Sequence, residues 1–413
     1  VQKSNLIDSR RTGIYLLTIQ TLAGLAQWID IFLIFTVPSF LWKSSPAEIA
    51  FLASCFALPG LFFGPLIGAL LDRVNPRKMM MIGALARTTL TLMIAFAPAF
   101  PSFTCLVLLK GLANLLYWPA STVVTNQVIS EVQRVKYFSS QSALDQLSKI
   151  GTPLLAGILA LATTAQLTFL VSAMLMLACA TMLVFIGDTT SQPTQKRSIN
   201  GILQDLLEGF RAIKSLHKNL LASISLSIGL SLGLAIYDPH LAAFLSARGF
   251  DVGVFSMLVS ATGAGAVAGA SLVRIRLNAA SPVTLMRIGI ATFTLAISGT
   301  AIMLSLASEL LGPVTLIFLW FLNGMGYEVF VIGSSVNLQN LCPPALLGRI
   351  STSVRSLQMS TIVFGPSIGA WLVTSYSRDA PFIIASIVAW TLCGGTLLFC
   401  SDRPHNGHDC DEA

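Results

Sequence analysis

Three carboxylates interrupt stretches of this chain that are otherwise almost wholly apolar: Asp30, Asp238 and Glu328. An ionised group inside a long apolar helix costs free energy unless it meets a partner or a wet cavity, so each is a candidate for taking up and releasing a proton. Glu328 lies about 16 residues into its run, near the middle at a rise of ~1.5 Å per residue, beside Gly324 and Gly326. It is the first choice for proton coupling, with Asp30 and Asp238 assisting. The structural alternatives are helix packing for Glu328, and pairing or capping at an outer gate for the two aspartates.

Stripes of other polar residues run beside them. Lys110, Asn114, Tyr117, Ser121 and Thr125 recur at helical spacing and form one face. Gln20, Gln27 and Asp30 share another, Tyr237 precedes Asp238, and Asn323, Tyr327 and Asn337 accompany Glu328. Such stripes suit a pathway for a small solute, and Lys110 within one favours an acidic ligand. Asp145 and Lys149 stand four residues apart, the spacing of an intrahelical ion pair, and read as neutralising each other. His240, directly after Pro239, reads as structural.

The elements that must position these residues are helices long enough to cross a bilayer. Hydrophobic residues make up 54% of the 413 residues, and Asp, Glu, Lys and Arg only 10%, where soluble domains carry roughly 25% charged residues. Twelve apolar runs follow one another, at 12–40, 48–71, 78–99, 103–129, 138–163, 166–187, 219–247, 252–273, 283–305, 312–340, 350–375 and 380–400. The first is long enough to span and shows no small-residue cleavage site, so no cleavable signal is expected. With the N-terminus inside, seventeen basic residues fall in inner loops and tails and three (Lys43, Arg248 and Arg378) in outer loops. The positive-inside rule then places both termini in the cytoplasm. On this reading the net charge of +7 reflects topology and attraction to anionic lipid, and nucleic acid is not expected as a partner.

The seven cysteines are scattered, without paired spacing, so neither a disulfide framework nor a metal site is expected. The His405, His408 and Cys410 tail reads as a polar end. No Gly-x-x-x-x-Gly-Lys phosphate loop is present, so neither ATP hydrolysis, nor a cofactor, nor any other enzymatic activity is expected.

Residues 188–218 break the apolar pattern and divide the chain into domains at 1–187 and 219–400, with a tail at 401–413. Within the break, 202–216 has the periodicity of an amphipathic helix lying on the inner membrane surface. A shift of 213 residues lays Lys110-Gly111 on Asn323-Gly324, Asn126-Gln127 on Gln339-Asn340, and Pro153 on Pro366, as expected of a parallel repeat.

Between the second and third runs the chain reads Gly68-Ala-Leu-Leu-Asp72-Arg73-Val-Asn75-Pro76-Arg77-Lys78. This resembles the loop between the second and third spans of major facilitator superfamily transporters, Gly-x-x-x-Asp-Arg-x-Gly-basic-basic. Asn75 replaces the second glycine, a change that a left-handed backbone tolerates, and the basic pair falls one residue late. The resemblance implies an all-α membrane protein of twelve transmembrane helices in two pseudo-symmetric six-helix bundles. It implies a midplane cavity lined by the first, fourth, seventh and tenth spans, which carry the polar stripes above. Substrate-cavity residues would then be Gln20, Gln27, Lys110, Asn114, Tyr117, Ser121, Tyr237, Asn323 and Tyr327. Gly68, Asp72, Arg73, Arg77 and Lys78 would be gating residues.

Gly151, Pro153 and Gly157 in the fifth span, and Gly365-Pro366 with Gly369-Ala370 in the eleventh, partly match the Gly-Pro-x-x-Gly-Gly of the family's exporters. The Pro344-x-x-x-Gly348-Arg349-Ile350-Ser351 run resembles the bacterial macrolide-efflux and siderophore-exporter branch. The resemblance therefore implies a monomer in the bacterial inner membrane that exports a small amphiphile, a drug or a siderophore, against protons, with membrane lipid as its surroundings. Proton-coupled uptake of a nutrient or metabolite, and a transport-inactive receptor or assembly partner, stay open on the sequence alone.

Overall fold

The computed structural model describes residues 2–71, 74–129, 131–186, 218–277, 279–306, 312–342 and 344–399. No strand occurs among them. The chain cannot leave backbone donors and acceptors unpaired in hydrocarbon, and long apolar runs with few breakers satisfy them as helices. In the N-terminal half, α1 (Gln2–Thr36) runs on through a π-helical turn (Val37–Leu41). It is followed by α2 (Pro46–Leu71), α3 (Pro76–Ala95), α4 (Phe100–Val128), α5 (Glu131–Ala162) and α6 (Ala165–Leu183). In the C-terminal half, α7 (Lys218–Tyr237) continues through a 3₁₀ turn (Asp238–His240) into Leu241–Ala247. Then come α8 (Val252–Ile275), α9 (Pro282–Leu306), α10 (Pro313–Leu341), α11 (Pro344–Ser375) and α12 (Ala380–Phe399).

Eleven stretches among the described residues are long and apolar enough to cross a membrane. The remaining helix of the twelve expected is α5, which is 32 residues long but carries Asp145 and Lys149 in its middle. Large apolar side chains such as Phe62, Met174, Val314 and Leu398 are exposed on the helices, as a surface solvated by lipid tails requires.

Helix starts follow ordinary capping chemistry. Ser45 and Glu48 form a reciprocal capping box at α2: the Glu48 carboxylate accepts from the Ser45 backbone N–H at 2.7 Å, and Ser45 Oγ accepts from the Glu48 N–H at 3.3 Å. Asn75 has φ −59° and ψ 116°, and its Oδ1 accepts from the Arg77 and Lys78 backbone N–H groups at 3.0 and 3.3 Å. The left-handed backbone expected there is therefore not present. Asn75 serves as an N-cap, and Pro76 after it fills the first helical position, where no donor is needed. Asp72 and Arg73, the amphipathic helix expected at 202–216, and the tail lie outside the described residues.

The repeat holds in three dimensions. α4 and α10 are each 29 residues long, α5 and α11 each 32, and within each pair both ends are offset by 213 residues. Neighbours correspond as well: α1 packs on α5 and α6 as α7 packs on α11 and α12, and α3 packs on α4 and α6 as α9 packs on α10 and α12. Pro153 and Pro366 both lie inside their helices.

The halves meet through two symmetry-related pairs, α2 with α11 and α5 with α8. Further contacts between the halves lie toward the side remote from the termini. There Phe32 stacks on Phe255 at 5.3 Å between ring centres, and Ser54 Oγ donates to the Val363 carbonyl at 2.5 Å. The Val37–Leu41 turn packs against Leu241–Ala247. On the termini side, a polar recess of about 460 Å³ is lined by Gln20, Thr21, Gly24, Trp118, Gln141 and Asp145, among others.

Candidate functional site

A cavity of about 250 Å³ lies between the halves, walled by α1, α5, α7, α8 and α10. Most of its wall is apolar or aromatic: Trp28, Phe32 and Phe35 from α1, Phe255 from α8, and Trp320 and Tyr327 from α10. Among the described residues, three ionisable groups other than Tyr327 line it: Lys149 from α5, Asp238 from the 3₁₀ turn of α7, and Glu328 from α10. The 3₁₀ turn arises where Pro239 removes a backbone donor, and it puts Asp238 at the cavity wall.

Among the described residues, neither the Asp238 nor the Glu328 carboxylate has a hydrogen-bond partner, and neither has a cation at ion-pair distance. The Lys149 ammonium lies 5.7 Å from the centre of the Trp28 ring and acts electrostatically on both carboxylates. No ion pair joins Lys149 to Asp145, contrary to the expectation from their spacing. Asp145 instead lines the termini-side recess. The i, i+4 relation permits a pair, but the Lys149 side chain finds an aromatic face and an acidic cavity in the other direction.

Glu328, Asp238, Asn323 and Tyr327 are thus brought together at one cavity. Tyr237 sits just behind it, fully buried, its hydroxyl accepting from Asn323 Nδ2 at 2.9 Å. His240 is buried and bonded through Nε2 to the Pro366 carbonyl at 2.9 Å, in keeping with a structural role.

The stripe on α4 goes elsewhere. Lys110 is not among the residues lining the cavity; its Nζ is 2.6 Å from Asp30 Oδ2, with both side chains 1% exposed. It also donates to Thr91, and the second Asp30 oxygen accepts from Ser172 at 2.7 Å. Ser121 and Thr125 both accept from Gln20 Nε2 at 2.8 Å, and Tyr137 donates to Gln20 Oε1 at 2.7 Å. Gln27 accepts from buried Arg87 at 2.8 Å, and the Arg87 guanidinium lies 5.2 Å from the centre of the Tyr117 ring. The Asn114 Oδ1 and Tyr117 hydroxyl have no partner among the described residues. The polar faces of α1, α3, α4 and α6 therefore meet mainly one another inside the N-terminal half. In sequence, a helix face matched to its neighbours and one lining a cavity look the same.

Sequence reasoning assigned Lys149 to a pair with Asp145 rather than to the cavity, and missed the aromatic wall. Phe and Trp inside an apolar run carry no signal of their own, and the spacing of Lys149 from Asp145 hides it. Of the gating residues expected, Gly68 falls in α2 and Lys78 in α3. Arg77 donates to the Leu183 and Val184 carbonyls at the C-terminal end of α6, at 3.1 and 2.6 Å.

Comparison with known proteins agrees with this architecture. The Major Facilitator Superfamily profile matches residues 16–312. A protein of Bacillus subtilis (strain 168), described as the uncharacterized MFS-type transporter YfiS, is 24% identical over 382 residues, covering 89% of this chain and 88% of its own. Macrolide efflux protein A of Streptococcus pyogenes is 32% identical over 125 residues, 28% of this chain and 30% of that protein. Among solved structures, a variant of the nucleoside transporter NupG superposes with a TM-score of 0.80 at 14% identity, covering 94% of this chain and 100% of that one. A D-xylose–proton symporter superposes with 0.71 at 12% identity, covering 94% and 98%. The paired six-helix repeats, the central cavity and the profile match lead to one conclusion: the chain belongs to the Major Facilitator Superfamily and is a multi-pass membrane transporter.

Proposed function

We propose that this chain is a proton-coupled exporter of a small amphiphilic molecule, working by alternating access as a monomer in a bacterial inner membrane with both termini cytoplasmic. One observation supports this most: Asp238 and Glu328 face an apolar cavity between the two halves with no partner among the described residues. A carboxylate so placed exchanges a proton with whichever side the cavity opens to. A change in the charge of the cavity supplies the differential energy that a two-state transporter needs. Glu328 and Asp238 carry the coupling in this reading. Asp30, held by Lys110 and Ser172, belongs to the frame.

With basic loops inside, the recess that α1, α4 and α5 line on the termini side supports an inward-facing arrangement. The aromatic contacts Phe32–Phe255 and Phe40–Phe255 form the closed outer gate. Gly68, Asp72, Arg73, Arg77 and Lys78 retain the gating role that the family resemblance gives them. The domain division at 188–218 is kept, with α7 beginning at Lys218.

The expectation of an acidic substrate such as a carboxylate siderophore rests on Lys110 facing the cavity. Lys110 is instead ion-paired inside the N-terminal half, and the aromatic wall favours a drug-like amphiphile. Similarity to the macrolide efflux protein over part of the chain inclines the reading toward export. Proton-coupled uptake uses the same fold, as the D-xylose–proton symporter illustrates.

Everted membrane vesicles separate the two directions. With ethidium as the probe, an exporter accumulates the dye when the lumen is acid and releases it when nigericin collapses the pH gradient. Accumulation indifferent to nigericin, or the same as in vesicles lacking the protein, would overturn proton-driven export.

A further inference from the structure

We propose that the central cavity is a site for a monocation with a flat aromatic body, and that Lys149 sets the number of charges the site accepts. This deepens the transport reading and rests on it for the cavity being the substrate site. The charges are few and divided between the halves: Asp238 and Glu328 from the C-terminal half, Lys149 from the N-terminal half. Among the described residues, the α1 and α8 side chains at the wall are uncharged, and Tyr327 on α10 is the one other titratable group lining it. Tyr237, behind the wall, is occupied by Asn323. With both carboxylates ionised and Lys149 protonated, the empty cavity holds one uncompensated negative charge.

Residual charge in a site walled by apolar groups is expensive. One monocation brings the sum to zero, a dication overshoots, and an anion deepens the deficit. With no partner among the described residues, the two carboxylates keep their lone pairs free for a ligand. The ring faces supply the second half of the recognition. Lys149 already rests over Trp28, which shows that a cation is accommodated on an aromatic face here. Phe32, Phe35, Phe255 and Trp320 offer apolar surface for the ligand body.

A single proton does the same work as the monocation, since protonating one carboxylate also brings the sum to zero. Proton and ligand are then alternative occupants, exchanged one for one, and ligand affinity falls as the pH is lowered. Lys149 acts as a built-in countercharge. Without it, the two carboxylates have room for a second ligand charge.

Ethidium and propidium share a ring system and differ by one charge, so fluorescence anisotropy of each with the purified full chain in detergent tests the count. The wild type is expected to bind ethidium on the order of tenfold more tightly than propidium. Lys149→Gln should abolish or reverse that ratio, and Lys149→Arg should keep it. Lys149→Met carries the same expectation as Lys149→Gln should the latter not stay monodisperse. An unchanged ratio in a folded, neutral Lys149 variant overturns the proposal. So does a wild type that binds neither ethidium nor tetraphenylphosphonium. If the ratio behaves as expected but vesicles show no pH-driven flux, the charge count stands and the exporter reading falls. If flux is present but the ratio is indifferent to Lys149, the exporter reading stands and the charge count falls.

Discussion

In the N-terminal half, Asp30 and Lys110 lie 2.6 Å apart, each 1% exposed, with Ser172 and Thr91 completing the set. In the C-terminal half, Asp238 and Glu328 open onto a cavity and have no bonding partner among the described residues. The repeat makes the contrast sharper: Lys110 and Asn323 occupy the same place in α4 and α10, yet one is locked into the bundle and the other lines the cavity. Equivalent positions on equivalent helices have thus been put to different uses. A charge inside a membrane span signals function only when its neighbours leave it unanswered.

Breaking the paired side should cost the most. Lys110→Ala leaves Asp30 buried without its cation, an expected loss of about 3–5 kcal/mol, visible as poor recovery of monodisperse protein and early thermal unfolding in detergent. Replacing both partners, Lys110→Met with Asp30→Leu, should recover much of that loss, because no unpaired charge remains. If the double variant is no better than Lys110→Ala, the pair is not a structural unit.

Smaller effects mark the boundary between frame and cavity. Asn323→Ala leaves the Tyr237 hydroxyl without its donor and should cost about 1–3 kcal/mol, read as a lowered unfolding midpoint. Arg77→Ala removes two bonds from α3 to the end of α6. It should cost about 1 kcal/mol, since Arg77 is only partly buried and also favours the negative end of that helix. On the unpaired side, Glu328→Gln and Asp238→Asn should not lower the midpoint, because no bond is lost and one charge is removed from an apolar wall. A large destabilisation by either would mean that these carboxylates hold the fold together after all.

Much of the fold is legible in the sequence because bilayer thickness and backbone satisfaction leave few choices for a run of apolar residues. The 213-residue repeat, read from Pro153 and Pro366 and from Lys110-Gly111 and Asn323-Gly324, reappears as helices matched in length and order. Side-chain partners are less legible. Asp145 and Lys149 have the spacing of a pair, but Lys149 takes the Trp28 face and Asp145 lines the recess. Asn75 replaces a family glycine without adopting its backbone, because an Asn-Pro start caps α3 directly. The α4 stripe looks like cavity lining in the sequence because periodicity reports which residues share a face, not what that face meets. Glu328 and Asp238 stand out as single charges in apolar runs. The missing partners that distinguish them from Asp30 could come only from the structure.

The most direct test of the working role of the unpaired carboxylates compares two fluxes through Glu328→Gln protein in liposomes, with ethidium as the probe. Exchange of external for internal dye needs only alternating access, whereas uphill movement under an imposed pH gradient needs the proton site. Glu328→Gln is expected to keep exchange and lose gradient-driven accumulation. Gradient-driven accumulation at the wild-type level in Glu328→Gln would contradict a coupling role for Glu328 and leave Asp238 as the one carboxylate of the cavity wall, among the described residues, to carry it.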